Sequence, residues 1–210
     1  MDIAHLPHLD RAALARQLSS GAIPVDLRDA VPFGLAHIPG SVHIKVKSPN
    51  FIDRVSRFTP DDRPLVLLGE TFADIEWTSS ELSGGRTIAG YALAGDLDRS
   101  GQALDSLPAL EPGELYQGQN NGQPVIVLDV REPAEWTEGC IAGALRIPMN
   151  EVLDNLDRLS RTQPIAITCA GGQRSSLIAS LLRVRGFHNL FNVTGGMKAW
   201  VAAGLPTTQP

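Results

Sequence analysis

The chain has 210 residues and only two cysteines, Cys140 and Cys169. At most one disulfide could form, so no disulfide framework supports the fold. No apolar run approaches the ~18 residues needed to cross a bilayer. The opening MDIAHLPHLD has no basic segment followed by an apolar one, so no secretory signal is expected. A basic excess is also missing. The formal net charge is −5, and neither half carries a cationic face for nucleic acid or anionic lipid. The five histidines, His5, His8, His37, His43 and His188, show no local metal-ligand spacing. These absences set a default of a protein in a reducing cytoplasm, with no nucleic-acid partner, no membrane partner and no metal.

What is present is a core-forming, turn-rich composition. Apolar residues make up 43% and charged residues 20%, with 20 glycines and 15 prolines but no Gly-X-Y period. The charge is unevenly spread. Residues 1–122 carry 10 basic and 16 acidic side chains, whereas residues 123–210 carry 8 and 7. In the second half, PVIVLDV (124–130), IAIT (165–168) and LFNV (190–193) read as strands buried on both faces. Between them, Asn150 caps an expected helix with apolar positions Val152, Leu153, Leu156 and Leu159. A second helix presents the stripe Leu177, Ile178, Leu181 and Leu182 and stops at Gly186. A short third helix follows over 195–202, with Trp200 on its buried side. Strands alternating with helices predict an α/β fold with mainly parallel sheets flanked by helices.

The first half repeats this order. IPVDLRD from Ile23 echoes VIVLDVRE, and HIPGSVHI from His37 echoes CIAGALRI, both at an offset of 103 residues. RPLVLLG from Arg63 then echoes QPIAITC at an offset of 100. Two motifs in register followed by one small step indicate a duplicated domain. The expected organisation is a domain over 1–105, a Gly-, Gln-, Pro- and Asn-rich linker over 106–122 with room for some secondary structure near Leu107–Leu115, and a domain over 123–210.

The chemistry concentrates in Cys169-Ala170-Gly171-Gly172-Gln173-Arg174-Ser175, between a buried strand and a helix. Glycines allow successive backbone N–H groups to line a concavity at the positive end of the helix. That setting favours a thiolate and stabilises an anion held on sulfur. Arg174 adds a positive charge suited to an oxyanion.

Residues 123–206 resemble a rhodanese domain, a sulfurtransferase fold that carries sulfur as a cysteine persulfide. Four motifs occur in order. Asp129 and Arg131 are followed by Glu132-Pro133 and Glu135-Trp136. Gly139, Ile141, Gly143, Ala144, Ile147 and Pro148 come next, then the Cys169–Ser175 loop. Gly195, Gly196 and Trp200 close the series, with Gly204-Leu205-Pro206 behind. Cys140 stands where the family usually has histidine, and reads as a small buried residue. Related Cys-loop phosphatases carry five residues between Cys and Arg, whereas four stand here, which favours a single sulfur atom over a phosphate.

The resemblance implies a sulfurtransferase with Cys169 as nucleophile, Ala170 to Ser175 binding the substrate anion, and Asp129 and Arg131 in structural support. No cofactor is implied. The implied partners are a small donor such as thiosulfate or a persulfide and a thiol or cyanide acceptor, with a protein as a further sulfur acceptor. An alternative is a persulfide-carrier or redox-regulatory module, or the companion of a persulfide-oxidising metallo-β-lactamase-type enzyme, without free turnover. The first copy resembles the silent module of tandem sulfurtransferases. Gly69 replaces the cysteine, Glu70 to Asp74 lack arginine and a glycine pair, and Ala94-Gly95 has no following tryptophan.

Overall fold

In the computed structural model, which describes residues 6–97 and 103–209, the chain divides into two compact units, Met1–Ser106 and Leu107–Pro210. Residues 1–5, 98–102 and 210, which the expected domains include, lie outside the described residues.

The first unit begins with α1 (Arg11–Ser19), whose Ala13 N–H donates to the Asp10 carboxylate at 2.7 Å. It continues through β1 (Ile23–Asp26), α2 (Ala30–Leu35), β2 (Val42–His43), α3 (Phe51–Phe58), β3 (Leu65–Gly69), α4 (Phe72–Glu81), β4 (Ile88–Leu93) and α5 (Ala94–Leu97). All strand pairs are parallel, in the order β2-β1-β3-β4. β1 and β3 are buried along their whole length, as continuous apolar runs in a parallel sheet should be. Leu9, Leu14, Ile38, Val66 and Leu68 pack together in one part of the core.

The second unit contains β5 (Ala109–Leu110), α6 (Pro112–Asn120), β6 (Ile126–Asp129), α7 (Pro133–Trp136) and β7 (Leu145–Arg146). A 3₁₀ helix over Met149–Arg158 follows, then β8 (Ile165–Thr168), α8 (Gln173–Val184), β9 (Leu190–Val193) and α9 (Gly196–Ala202). Its strands are also parallel, ordered β5-β9-β8-β6-β7. The two sheets therefore share one path, with β6, β7, β8 and β9 standing for β1, β2, β3 and β4.

The structure corrects the expected linker at 106–122. Those residues carry β5, which pairs with β9, and α6, which packs on α9. α6 is polar on most of its surface and seats itself through Leu115, joined by Tyr116 edge-on to Trp200. They are also the start of the repeat. Leu6-Pro7-His8-Leu9-Asp10 corresponds to Leu107-Pro108-Ala109-Leu110-Glu111. Pro7 O accepts the Tyr91 N–H at 3.0 Å, as Pro108 O accepts the Asn192 N–H at 2.9 Å.

Two helices also differ from expectation. The segment at 149–158 is a 3₁₀ helix broken at Asn155, with Pro148 rather than Asn150 at its N-cap. Its counterpart α3 is regular. α8 is buried on every side from Ser175 to Leu182 rather than along one stripe.

Candidate active site

Cys169 follows directly on β8 and is 1% exposed. Gly172, at φ +94°, turns the chain into α8, and its N–H donates to Cys169 Sγ at 3.1 Å. The loop is tied down on the opposite side by Asn192 of β9. Its Nδ2 donates to Gly172 O at 3.1 Å, while its Oδ1 accepts the Ser175 hydroxyl at 2.6 Å. That hydroxyl has one proton and a second acceptor within reach, Cys169 Sγ at 3.4 Å. Ser176, on the next position of α8, is fully buried and its hydroxyl has no hydrogen-bond partner among the described residues.

α9 closes the loop from behind. Met197 N–H donates to Cys169 O at 2.8 Å and Lys198 N–H donates to Ala170 O at 3.1 Å. These bonds require the backbone of Gly196, at φ +57°, to lie against the loop. A Cβ there would stand 2.2 Å from Cys169 O. Gly171, by contrast, is exposed with open space around it.

The structure changes the electrostatic reading of Arg174. Its two terminal nitrogens donate to Glu135 of α7 at 2.6 and 2.7 Å, so its charge is matched rather than held open for an oxyanion. The hydrogen bonds from Arg174 hold the Glu135 carboxyl below its ordinary range, and the same contact raises the Arg174 guanidinium. Glu135 also accepts the Glu132 N–H at 3.0 Å, which orients it in the first turn of α7.

Asp129 and Arg131 form a second, buried pair. Arg131 Nε reaches both Asp129 oxygens at 3.0 Å and Nη2 reaches Oδ2 at 2.7 Å. Burial pulls the Arg131 guanidinium down, but the Asp129 hydrogen bonds and charge outweigh it and raise it. Its remaining N–H groups reach Glu135 O, Gly139 O and, at 3.8 Å, Cys140 Sγ. Arg28 and Asp26 repeat this pair in the first unit. Cys140 donates to Trp136 O at 3.5 Å, just as the His37 ring contacts Phe33 O at 2.9 Å in the first unit. The thiol thus fills the place of an imidazole in the scaffold.

Beside the loop, a cleft of ≈ 590 Å³ is walled by Ala170, Glu135, Glu138 and Arg131 together with Lys198 and Val201 of α9. Among the described residues there is no cluster of three or more metal-ligating side chains. Nor is any helix long and apolar enough to cross a membrane.

A family model for the Rhodanese-like domain matches residues 111–203. A sulfurtransferase of Allochromatium vinosum is 30% identical over 101 residues, which cover 48% of this chain and 94% of that protein. The chain belongs to the rhodanese-like family. Two further relatives extend the comparison. A putative sulfur carrier protein of Bacillus subtilis, YrkF, is 30% identical over 49% of this chain, which spans only 56% of that protein's length. The thiosulfate sulfurtransferase GlpE of Pseudomonas aeruginosa is 26% identical over 46% of this chain and 86% of its own.

The corresponding turn of the first unit is built differently. Gly69 ends β3 where Cys169 follows β8, and a Cβ on Gly69 would stand 2.8 Å from Ile75 Cδ1. Counted from the helix starts at Phe72 and Gln173, Ile75 occupies the position of Ser176. Asp74 stands where Ser175 does, and its carboxylate is taken up by the Thr71 N–H and hydroxyl at 3.0 and 2.8 Å.

Sequence reasoning named Cys169 and its loop but gave no role to Asn192, and none to Glu135 as the partner of Arg174. Glu135 carried a readable signal, lying three residues after Glu132 in a Glu-Pro helix start. Asn192, a single polar residue inside an apolar strand, carried a weaker one.

Proposed function

We propose that this chain moves a sulfane sulfur from thiosulfate or a related persulfide to a thiophilic acceptor through a persulfide on Cys169. The observation that carries this reading is the Gly172 N–H directed at Cys169 Sγ at 3.1 Å, in a loop held on both sides by Asn192 and α9. The Cys169 thiolate attacks the outer sulfur of thiosulfate, whose S–S bond breaks and whose electron pair leaves with sulfite. The product is a Cys169 persulfide anion, beside the Gly172 N–H and within reach of the Ser175 hydroxyl. A cyanide or thiolate acceptor then attacks the terminal sulfur and returns the Cys169 thiolate. Charge is conserved in both steps, and neither needs a proton or a cofactor. A compartment reducing enough to keep Cys169 free, such as the cytoplasm, suits this chemistry.

In this reading the first unit is a silent rhodanese-like copy. It shares the strand order but lacks the thiol, and a Cβ at Gly69 would crowd Ile75 Cδ1 at 2.8 Å. The sulfur-carrier relative favours a second reading, in which the same Cys169 persulfide is handed to one protein and not to small acceptors.

The deciding experiment pairs steady-state turnover of thiosulfate and cyanide with mass spectrometry, on wild type and on Cys169→Ser. Turnover in the wild type alone, with a gain of about 32 Da on Cys169, supports the enzyme. Adduct without turnover supports the carrier. No adduct from thiosulfate or from an organic persulfide removes both.

A further inference from the structure

The cleft beside the loop is unevenly charged, and its cations are not equivalent. Arg131 is committed to Asp129 and to carbonyls on α7 and at Gly139. Arg174, which does not line the cleft, is committed to both oxygens of Glu135. Lys198 lines the same cleft, is exposed, and has no carboxylate partner among the described residues. Its backbone is fixed to the loop by the 3.1 Å bond to Ala170 O, so its side chain leaves the chain beside the residue that follows Cys169. Glu138, also exposed on the cleft wall, is the unpaired carboxylate there among the described residues.

We infer that Lys198, rather than the loop arginine, is the specificity-determining residue for the anionic end of the sulfur donor. The inference rests on the sulfur-transfer reading above and adds the side chain that favours a donor whose sulfane sulfur is attached to an anionic group such as a sulfonate. With the outer sulfur of thiosulfate at Cys169, the sulfonate end points out of the loop into the cleft. There the Lys198 ammonium is, among the described residues, the lining cation left uncommitted. As the S–S bond breaks, negative charge gathers on the departing sulfite, and Lys198 stabilises it from outside the loop. A compact ammonium on a flexible stem suits this work, because it can follow the leaving group out. Glu138 opposes the dianion, so the two side chains set the preference in opposite directions.

The test uses the full chain with thiosulfate as donor and cyanide as acceptor, comparing wild type with Lys198→Ala, Lys198→Arg, Lys198→Glu and Glu138→Gln. Lys198→Ala is expected to raise the thiosulfate KM about tenfold, the value of one charge-assisted contact. Lys198→Glu should raise it further, and Lys198→Arg should restore it. Glu138→Gln should lower it, and kcat/KM for cyanide should not move in any variant. A thiosulfate KM within about twofold of wild type in both Lys198→Ala and Lys198→Glu overturns the assignment. So does an equal loss in Lys198→Arg, which would mark a packing role. Persulfide loading of wild-type Cys169, read by mass, separates the levels of failure. Wild type that loads while Lys198 is indifferent defeats this inference alone. Wild type that loads from no donor defeats the sulfur-transfer reading and this inference with it.

Discussion

Arg174, in the first turn of α8, grips both carboxylate oxygens of Glu135 in α7, at 2.6 and 2.7 Å. Both side chains are mostly buried, and the pair joins the helix behind the Cys169 loop to the segment that holds Arg131. Planar two-point pairing of this kind is stronger than an ordinary surface ion pair. Glu135→Gln is therefore expected to lower the stability of the second unit by about 1 kcal/mol. A double-mutant cycle with Arg174→Met, read by urea unfolding, should return a coupling of similar size. A coupling near zero would mean the two helices are held together by packing alone.

The same pair gives the second unit an acid limit. Hydrogen bonding from Arg174 keeps the Glu135 carboxyl below its ordinary value of 4.5 in the folded protein. Below that value the unfolded chain takes up a proton that the folded one refuses, so stability falls as pH drops toward the folded pKa. The first unit meets an earlier limit. Burial lowers the His43 pKa from 6.5, and the fully buried ring stays neutral while the unfolded one charges. Stability of the first unit should decline from pH 6.5 downward, and that of the second from 4.5 downward. Urea midpoints across this range should lose the lower step in Glu135→Gln and keep the upper one.

Much of this arrangement is visible in the sequence, for reasons particular to each part. β6, β8 and β9 read directly, and β1 and β3 by echo, because parallel strands buried on both faces are continuous apolar runs, whereas β4, whose burial alternates, did not read. β8 and the turn after it read together, as a buried apolar run followed by a thiol, two glycines and an apolar helix. α6 did not read, because its sequence PGELYQGQN offers one buried leucine and a surface of polar residues and glycines. The repeated Leu-Pro-x-Leu at 6–9 and 107–110 would have revealed it, since the two proline carbonyls accept equivalent sheet hydrogen bonds. Arg174 was read as an open charge, because a partner 39 residues away leaves no periodic trace.

Closure of the loop by α9 depends on Gly196 lacking a side chain. Ala at this position would place Cβ 2.2 Å from Cys169 O and 3.0 Å from the Ala170 carbonyl carbon, at a φ of +57°. Both the strain and the contact act on the backbone that carries the thiol. Gly196→Ala should cost the second unit at least ~2 kcal/mol and suppress persulfide loading of Cys169. Gly171→Ala, in open space on the same loop, is the matched control and should unfold as wild type does. Equal loading in the two variants would show that α9 does not set the loop's geometry.

Restoring the thiol alone should not awaken the first unit. At Gly69 an added Cβ meets Ile75 Cδ1 at 2.8 Å, and Ile75 is fully buried, so the core must shift to admit any side chain. The neighbouring positions are equally unsuited. Asp74 replaces Ser175 and is held by Thr71, while Ala73 offers no guanidinium where α8 has Arg174. Gly69→Cys is thus expected to destabilise the first unit by about 1–3 kcal/mol through overpacking. Treated with thiosulfate, Gly69→Cys combined with Cys169→Ser should show no gain of about 32 Da at position 69. Loading there at the rate of wild-type Cys169 would mean that strand placement suffices, and that the loop held by Gly172, Asn192 and α9 is dispensable for taking up sulfur.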